Sequence, residues 1–228
     1  MSLYTISDLH LSLAAEKSME VFPGWENYVD LLEEKWKKKI TDEDSIVICG
    51  DISWATKIED ARKDFEFLNS LPGEKILLKG NHDYWWSTSK KIFDFIERNN
   101  FKNFKILHNN CIESQNFYIC GTRGWTSKEK DAHDAKMVNR EIIRLSLSLK
   151  DRKNSDLPTI VFLHYPPAYF GEVTKIIDFL YENNVKYCYY GHIHSQNSSK
   201  VSTKFIKGIR CELVSCDYLN FEPKLVNI

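Results

Sequence analysis

The sequence contains no run of about 18 uninterrupted apolar residues, the length a membrane-spanning helix requires. A strand-like stretch, LYTIS, begins at Leu3 and leaves no room for a secretory signal peptide, so a cytoplasmic chain is expected. None of its six cysteines stands in a C-x-x-C pair, and four of them sit in apolar strand-like runs. This argues against a zinc knuckle or a disulfide framework and for buried, reduced thiols. Neither sign of charge is in excess: 31 Lys plus Arg face 32 Asp plus Glu. No global field draws the protein onto nucleic acid or an anionic membrane, and partner class has to be read from a site. Repeats, low-complexity segments and Pro/Gly/Ser linkers are also missing, which leaves 1–228 as one expected domain.

What the chain does hold is an alternation of two patterns. LYTISD (3–8), SIVICGD (45–51), KILLKGN (75–81), TIVFLHY (159–165) and KYCYYGH (186–192) read as buried strands followed by loops. Between them, 25–40, 58–71, 87–100 and 173–184 have apolar residues at helical spacing, with Ser87 as an expected N-cap. Strand alternating with helix predicts an α/β layer arrangement with crossover helices. Two stretches break the rhythm: 104–122 and 204–216 read as hairpin strands and predict a second, partly antiparallel sheet. A polar helix over 131–150 has an apolar stripe at Met137, Ile142, Leu145 and Leu149.

The chemistry lies where the five strand-like runs end, since ligands of open α/β sheets gather outside the carboxyl ends of the strands. SDLHLS supplies Asp8 and His10; CGDIS supplies Asp51; KGNHDYWW supplies Asn81, His82 and Asp83. LHYPP supplies His164, and YGHIHS supplies His192 and His194. A single histidine at a strand end is usually an ordinary polar residue, but these ends take five of the chain's seven histidines. Imidazole and carboxylate together suit zinc, iron, manganese and similar ions, whereas magnesium prefers oxygen ligands almost alone. The donors outnumber what one ion needs, which points to two.

The ordered set D-x-H, G-D, G-N-H-D, H and G-H-x-H, running from Asp8 to His194, resembles the calcineurin-like metallophosphoesterase family. That resemblance implies an α/β fold of α+β type, a four-layer α/β/β/α sandwich of two mixed sheets flanked by helices. It implies one metal held by Asp8, His10 and His194, a second by Asn81, His164 and His192, and Asp51 bridging both. The implied enzyme is a binuclear metallophosphoesterase in which a bridging hydroxide attacks phosphorus in line. His82 would face the substrate and assist the leaving oxygen, with Asp83 orienting its ring. The cofactors are two divalent ions, with manganese expected first and iron, zinc or nickel also compatible with the ligand set.

The stretch after the second motif, GDISWATK, has Ser53, Trp54 and Ala55 where protein Ser/Thr phosphatases of this superfamily have an Asp and an Arg. The chain therefore looks more like the compact bacterial phosphohydrolase branch, acting on a small phosphomonoester, phosphodiester or nucleotide. Trp54, Tyr84, Trp85 and Trp86 are candidate stacking residues for a planar group, with core packing as the competing role. Arg123, between glycines in CGTRGWTS, is a candidate phosphate clamp against a structural ion pair. His108 and His133 match no motif and read as surface or turn residues. Two other functions remain open: a metal-binding scaffold on the same fold, which the complete ligand set disfavours, and a nuclease, which the balanced charge disfavours. Oligomeric state is not encoded in any of these features.

Overall fold

The structure is a computed structural model that describes residues 1–15, 17–114, 116–125, 132–153, 157–169, 172–195 and 204–227. Gln115, Thr126, Ser127 and Asp131, all within stretches considered above, lie outside the described residues.

The first half of the chain builds one sheet. Strands β1 (Leu3–Ile6), β2 (Ser45–Ile48), β3 (Glu74–Leu78) and β4 (Phe104–Leu107) are parallel neighbours in that order. Their crossovers carry α1 (Tyr28–Lys39), α2 (Arg62–Ser70) and α3 (Ser89–Arg98). The helices dock by the spacing their sequence displays: Tyr28, Leu32 and Trp36 of α1 and Ile92, Phe95 and Ile96 of α3 are buried. Alternation along the strands sorts residues between two faces. Ile46, Ile48 and Leu77 meet the helices, while Val47, Ile76 and Leu78 point to the other side. The cap of α3 differs from expectation: Thr88, not Ser87, accepts the amide of Lys91 and starts the helix one residue later.

The second half builds the second sheet. Strands β5 (Cys111–Glu113) and β6 (Tyr118–Thr122) form a hairpin, followed by α4 (Ala132–Lys150) and β7 (Thr159–Leu163). A short ribbon of β8 (Ala168–Tyr169) and β9 (Glu172–Val173) precedes α5 (Lys175–Glu182) and β10 (Tyr187–Tyr190). The hairpin of β11 (Lys204–Ile206) and β12 (Ile209–Leu213) completes the order β11-β12-β10-β7-β6-β5, with β10, β7 and β6 parallel. β13 (Lys224–Leu225) returns to pair antiparallel with β1. The stretch 104–122, read as hairpin strands, is divided between sheets, because β4 pairs with β3 and only β5 and β6 form a hairpin. On α4 the buried stripe is Val138, Glu141, Leu145, Ser148 and Leu149; Met137 and Ile142 are half-buried flanks of it.

Three apolar clusters therefore separate four layers. One lies between the first sheet and α1–α3, one between the second sheet and α4 and α5, and the third between the sheets, where Val47, Ile76, Ile160, Phe162 and Tyr189 meet. The two sheets join at one corner, where Ser7 after β1 bridges Ser215 after β12 and the Cys216 amide donates to the Ser7 carbonyl. All six cysteines are free thiols and only Cys111 is not fully buried. Phe162 is stacked on Tyr189 in the middle layer. Phe162→Ala should lower unfolding free energy by about 3–5 kcal/mol, read as a lower denaturant midpoint with an unchanged slope.

Candidate metal centre

The loops that leave β1 and β2 extend their ladder beyond the strands. The Asp8 amide donates to the Gly50 carbonyl and the His10 amide to the Asp51 carbonyl, both at 2.9 Å. Within this paired run, Asp8, His10 and Asp51 adopt left-handed backbone (φ 59°, 46° and 51°), as does His192 (φ 70°). Non-glycine residues rarely hold that conformation, and it concentrates where surrounding structure fixes a functional side chain. Two glycines let the loops close on these carboxylates. A Cβ on Gly80 would lie 2.1 Å from Asp51 Oδ1, and one on Gly191 would lie 2.4 Å from Asp8 Oδ2. The glycines of the G-N-H-D and G-H-x-H motifs are thus places where backbone must touch carboxylate.

Two groups of donors result. Asp8, His10 and His194 bring donor atoms within 4.8 Å of one another, and so do Asp51, His164 and His192. The groups adjoin: Asp51 Oδ2 is 3.8 Å from His10 Nε2 and 3.5 Å from His164 Nε2, so it lies between them. Asn81 stands beside the second group, its Oδ1 2.6 Å from His164 Nε2. Each group takes residues from both sheets, Asp8, His10 and Asp51 from the first and His164, His192 and His194 from the second.

The hydrogen bonding around the two carboxylates engages one oxygen of each. Asp8 Oδ2 accepts from the His192 amide and the Ser215 hydroxyl, whereas Oδ1 is buried without a partner. Asp51 Oδ1 accepts from the His82 amide at 2.7 Å. Burial holds His10 and His164 down at about 3, so both are neutral imidazoles, the form that ligates metal. Burial together with the charges of Asp8 and Asp83 pushes Asp51 up to about 9. Burial also opposes the Asp8 charge, yet the positive charge that the His164, His194 and His10 rings carry when protonated holds it at about 2. A carboxylate under such pressure, between neutral imidazoles, is matched to a cation, and the imidazole–carboxylate donor set fits a divalent transition metal.

Asp83 has a different task from the one expected. Its buried carboxylate accepts from the amides of Gly80, Asp51, Ile52 and Ser53 and from Trp85 Nε1 at 2.7–3.3 Å. It clamps the β2 and β3 loops together and makes no hydrogen bond to the His82 ring; the hydrogen-bond partner of that ring is the Tyr84 hydroxyl, 3.4 Å from Nδ1. Trp85 is likewise corrected: only 2% exposed, packed edge-on against Phe65 and bonded to Asp83, it is a core residue rather than a stacking surface. Trp54 does reach the centre, stacked 4.8 Å from the His10 ring and tilted 4.5 Å from that of His82. Tyr84 is exposed beside His82. The guanidinium of Arg123 lies over Trp125 and Tyr165, with no carboxylate partner among the described residues.

Four neighbours had no motif to announce them. Tyr165 packs 4.4 Å from the His192 ring, Trp25 edges onto His194, Asp217 lies 3.2 Å from His194 Nδ1, and Ser215 bonds Asp8. Tyr165 directly follows His164 and was the one open to inspection; Ser215 and Asp217 reach the site through the β12 corner, which no local pattern encodes.

Among solved structures, the chain is similar to phosphopantetheinyl hydrolase (PptH) from Mycobacterium tuberculosis, at TM-score 0.62 and 14% identity over 99% of this chain and 95% of that one. It is also similar to AQ665 from Aquifex aeolicus, a protein of unknown function, at TM-score 0.56 and 17% identity over 98% and 95%. These likenesses concern fold. A curated relative, the uncharacterized protein MJ1445 of Methanocaldococcus jannaschii, is 27% identical over 71% of this chain and 90% of its own length. The calcineurin-like phosphoesterase profile matches residues 1–196, the span that contains every donor of both groups. The chain belongs to the calcineurin-like phosphoesterase family.

Proposed function

We propose that the protein is a binuclear metal-dependent phosphoester hydrolase acting on a small phosphomonoester, phosphodiester or nucleotide. The observation that carries this reading is the pair of adjoining donor groups with Asp51 Oδ2 between them. One divalent ion falls to Asp8, His10 and His194, the other to Asn81, His164 and His192, with Asp51 serving both. Bound there, such ions supply Lewis-acid charge for phosphoryl oxygens and acidify a water for attack on phosphorus. Manganese is the first metal to load.

The chain's own contribution is positioning. The Asp83 clamp and the left-handed loop residues fix Asp51 before any ligand arrives, so little reorganisation is needed during reaction. His82 is anchored through its amide to Asp51 and leaves its half-buried ring at the mouth of the centre, against Trp54. From there a ring N–H can donate to the oxygen that departs from phosphorus. Trp54 and Tyr84 flank that position and are the aromatic surfaces open to a planar leaving group. A nuclease reading gains nothing from an overall charge of −1.

Manganese-loaded protein should hydrolyse bis-p-nitrophenyl phosphate or p-nitrophenyl phosphate, and a chelator should abolish the activity; no metal-dependent turnover of either, or of a nucleotide panel, would sink the proposal. His82→Ala should keep its metal by elemental analysis while turnover drops about a hundred- to ten-thousand-fold; a matching loss of metal would make His82 a ligand. Asp51→Asn should weaken both metals together, and one site filled at normal affinity would contradict its shared position.

A further inference from the structure

Beside the centre, beyond the Tyr165 wall, opens a cavity of about 540 Å³. Its lining is strongly cationic in a chain whose charges otherwise cancel: Lys79, Arg123, Arg140 and Arg144 all face it. Lys79 forms no salt bridge among the described residues, Asp83 acting on it only at longer range, and the Nε atoms of Arg123 and Arg140 are buried without an acceptor. The carboxylate in contact with this cluster, Glu141, is itself consumed. It is fully buried, accepts from the Thr122 hydroxyl and from Arg144 Nη1, and lies 3.4 Å from Arg140 Nη2. It therefore holds two guanidiniums at the wall from behind while leaving four cations against one anion. The nearby Asp134 carboxylate is taken by Trp125 Nε1.

Proximity of like charges costs free energy that folding alone does not recover. His108, also on the wall, is held below its ordinary value by burial, with Arg144 and Lys79 adding to the effect. Such a cluster is preorganised for a multivalent anion, and planar guanidiniums match phosphate oxygens in particular. Trp86 and Trp125 give the cavity indole walls beside the charge.

The cavity also shares structure with the candidate metal centre. The Arg123 carbonyl accepts the amides of His164 and Tyr165, and the Tyr165 ring has Arg123 on one side and His192 on the other. Lys79 precedes Asn81 by two residues on the same loop. One elongated ligand can thus reach both. We infer that this cavity binds a second, non-scissile phosphate, and that the substrates of the centre are phosphoesters carrying one, such as bisphosphates. The substrate half of this inference rests on the hydrolase reading; the anion site does not.

Two measurements separate them. In the full chain freed of metal by chelator, calorimetric titration with inorganic pyrophosphate should show one site. Lys79→Gln and Arg140→Gln, both confirmed folded by circular dichroism, should each bind at least about tenfold more weakly. Arg62→Gln, which removes an exposed cation paired with Glu66 on α2, should bind as the unaltered chain does. Absence of pyrophosphate binding, or equal binding in all variants, overturns the site. In the manganese-loaded chain, alkanediol bisphosphates of three to eight carbons should include one with kcat/KM at least about tenfold above its monophosphate, a preference that Arg140→Gln removes. Turnover with no such preference at any length overturns the substrate class, whereas absence of all turnover with pyrophosphate binding intact falls on the hydrolase reading alone.

Discussion

A buried carboxylate that accepts five hydrogen bonds holds the centre in shape. Asp83 gathers amides from the loops after β2 and β3, among them that of Asp51 itself and that of Gly80, next to Asn81. Four of the five donors are backbone amides, so the Asp83 carboxylate fixes the main chain of both loops directly. A residue with this role tolerates little: a buried charge is kept only when its lone pairs are filled, and here they are. The Asp51 carboxylate is then pressed among other acids and neutral imidazoles, a setting that a cation relieves.

The candidate donor residues could be singled out directly, because each lies at the end of a run whose pattern is that of a buried strand. The layer arrangement followed from the alternation of those runs with helical spacing, and the second sheet from the two stretches lacking helices. What escaped was governed by tertiary contact. Asp83 sits next to His82 in the chain, and adjacency suggested a partner for the imidazole, yet the turn directs its carboxylate at amides thirty residues earlier. Trp85 and Trp54 look equivalent as aromatics beside motifs, but one packs on Phe65 and the other on His10. Ser87 and Thr88 are equally good caps by type, and the geometry of the helix start selects the second.

The cationic cavity was legible only in part. Arg123 could be singled out by its glycines, but Arg140 and Arg144 lie on α4 among charges that read as a solvated face. Their significance comes from Glu141, whose burial turns a surface-like sequence into an inward wall. The cationic wall is thereby carried in part by a helix of the second half, while the candidate metal centre is assembled chiefly by loops.

The two donor groups have one more property, a mechanical one. Each draws on both sheets, so an ion in either position is a rivet through the sandwich, joining residues as distant in sequence as Asp8 and His194. A tie between such remote points restricts the unfolded chain much as a covalent crosslink does. The cysteines form no such tie, all six being free. An ion bound at either group would then stabilise the sandwich itself as well as equip the loops above it.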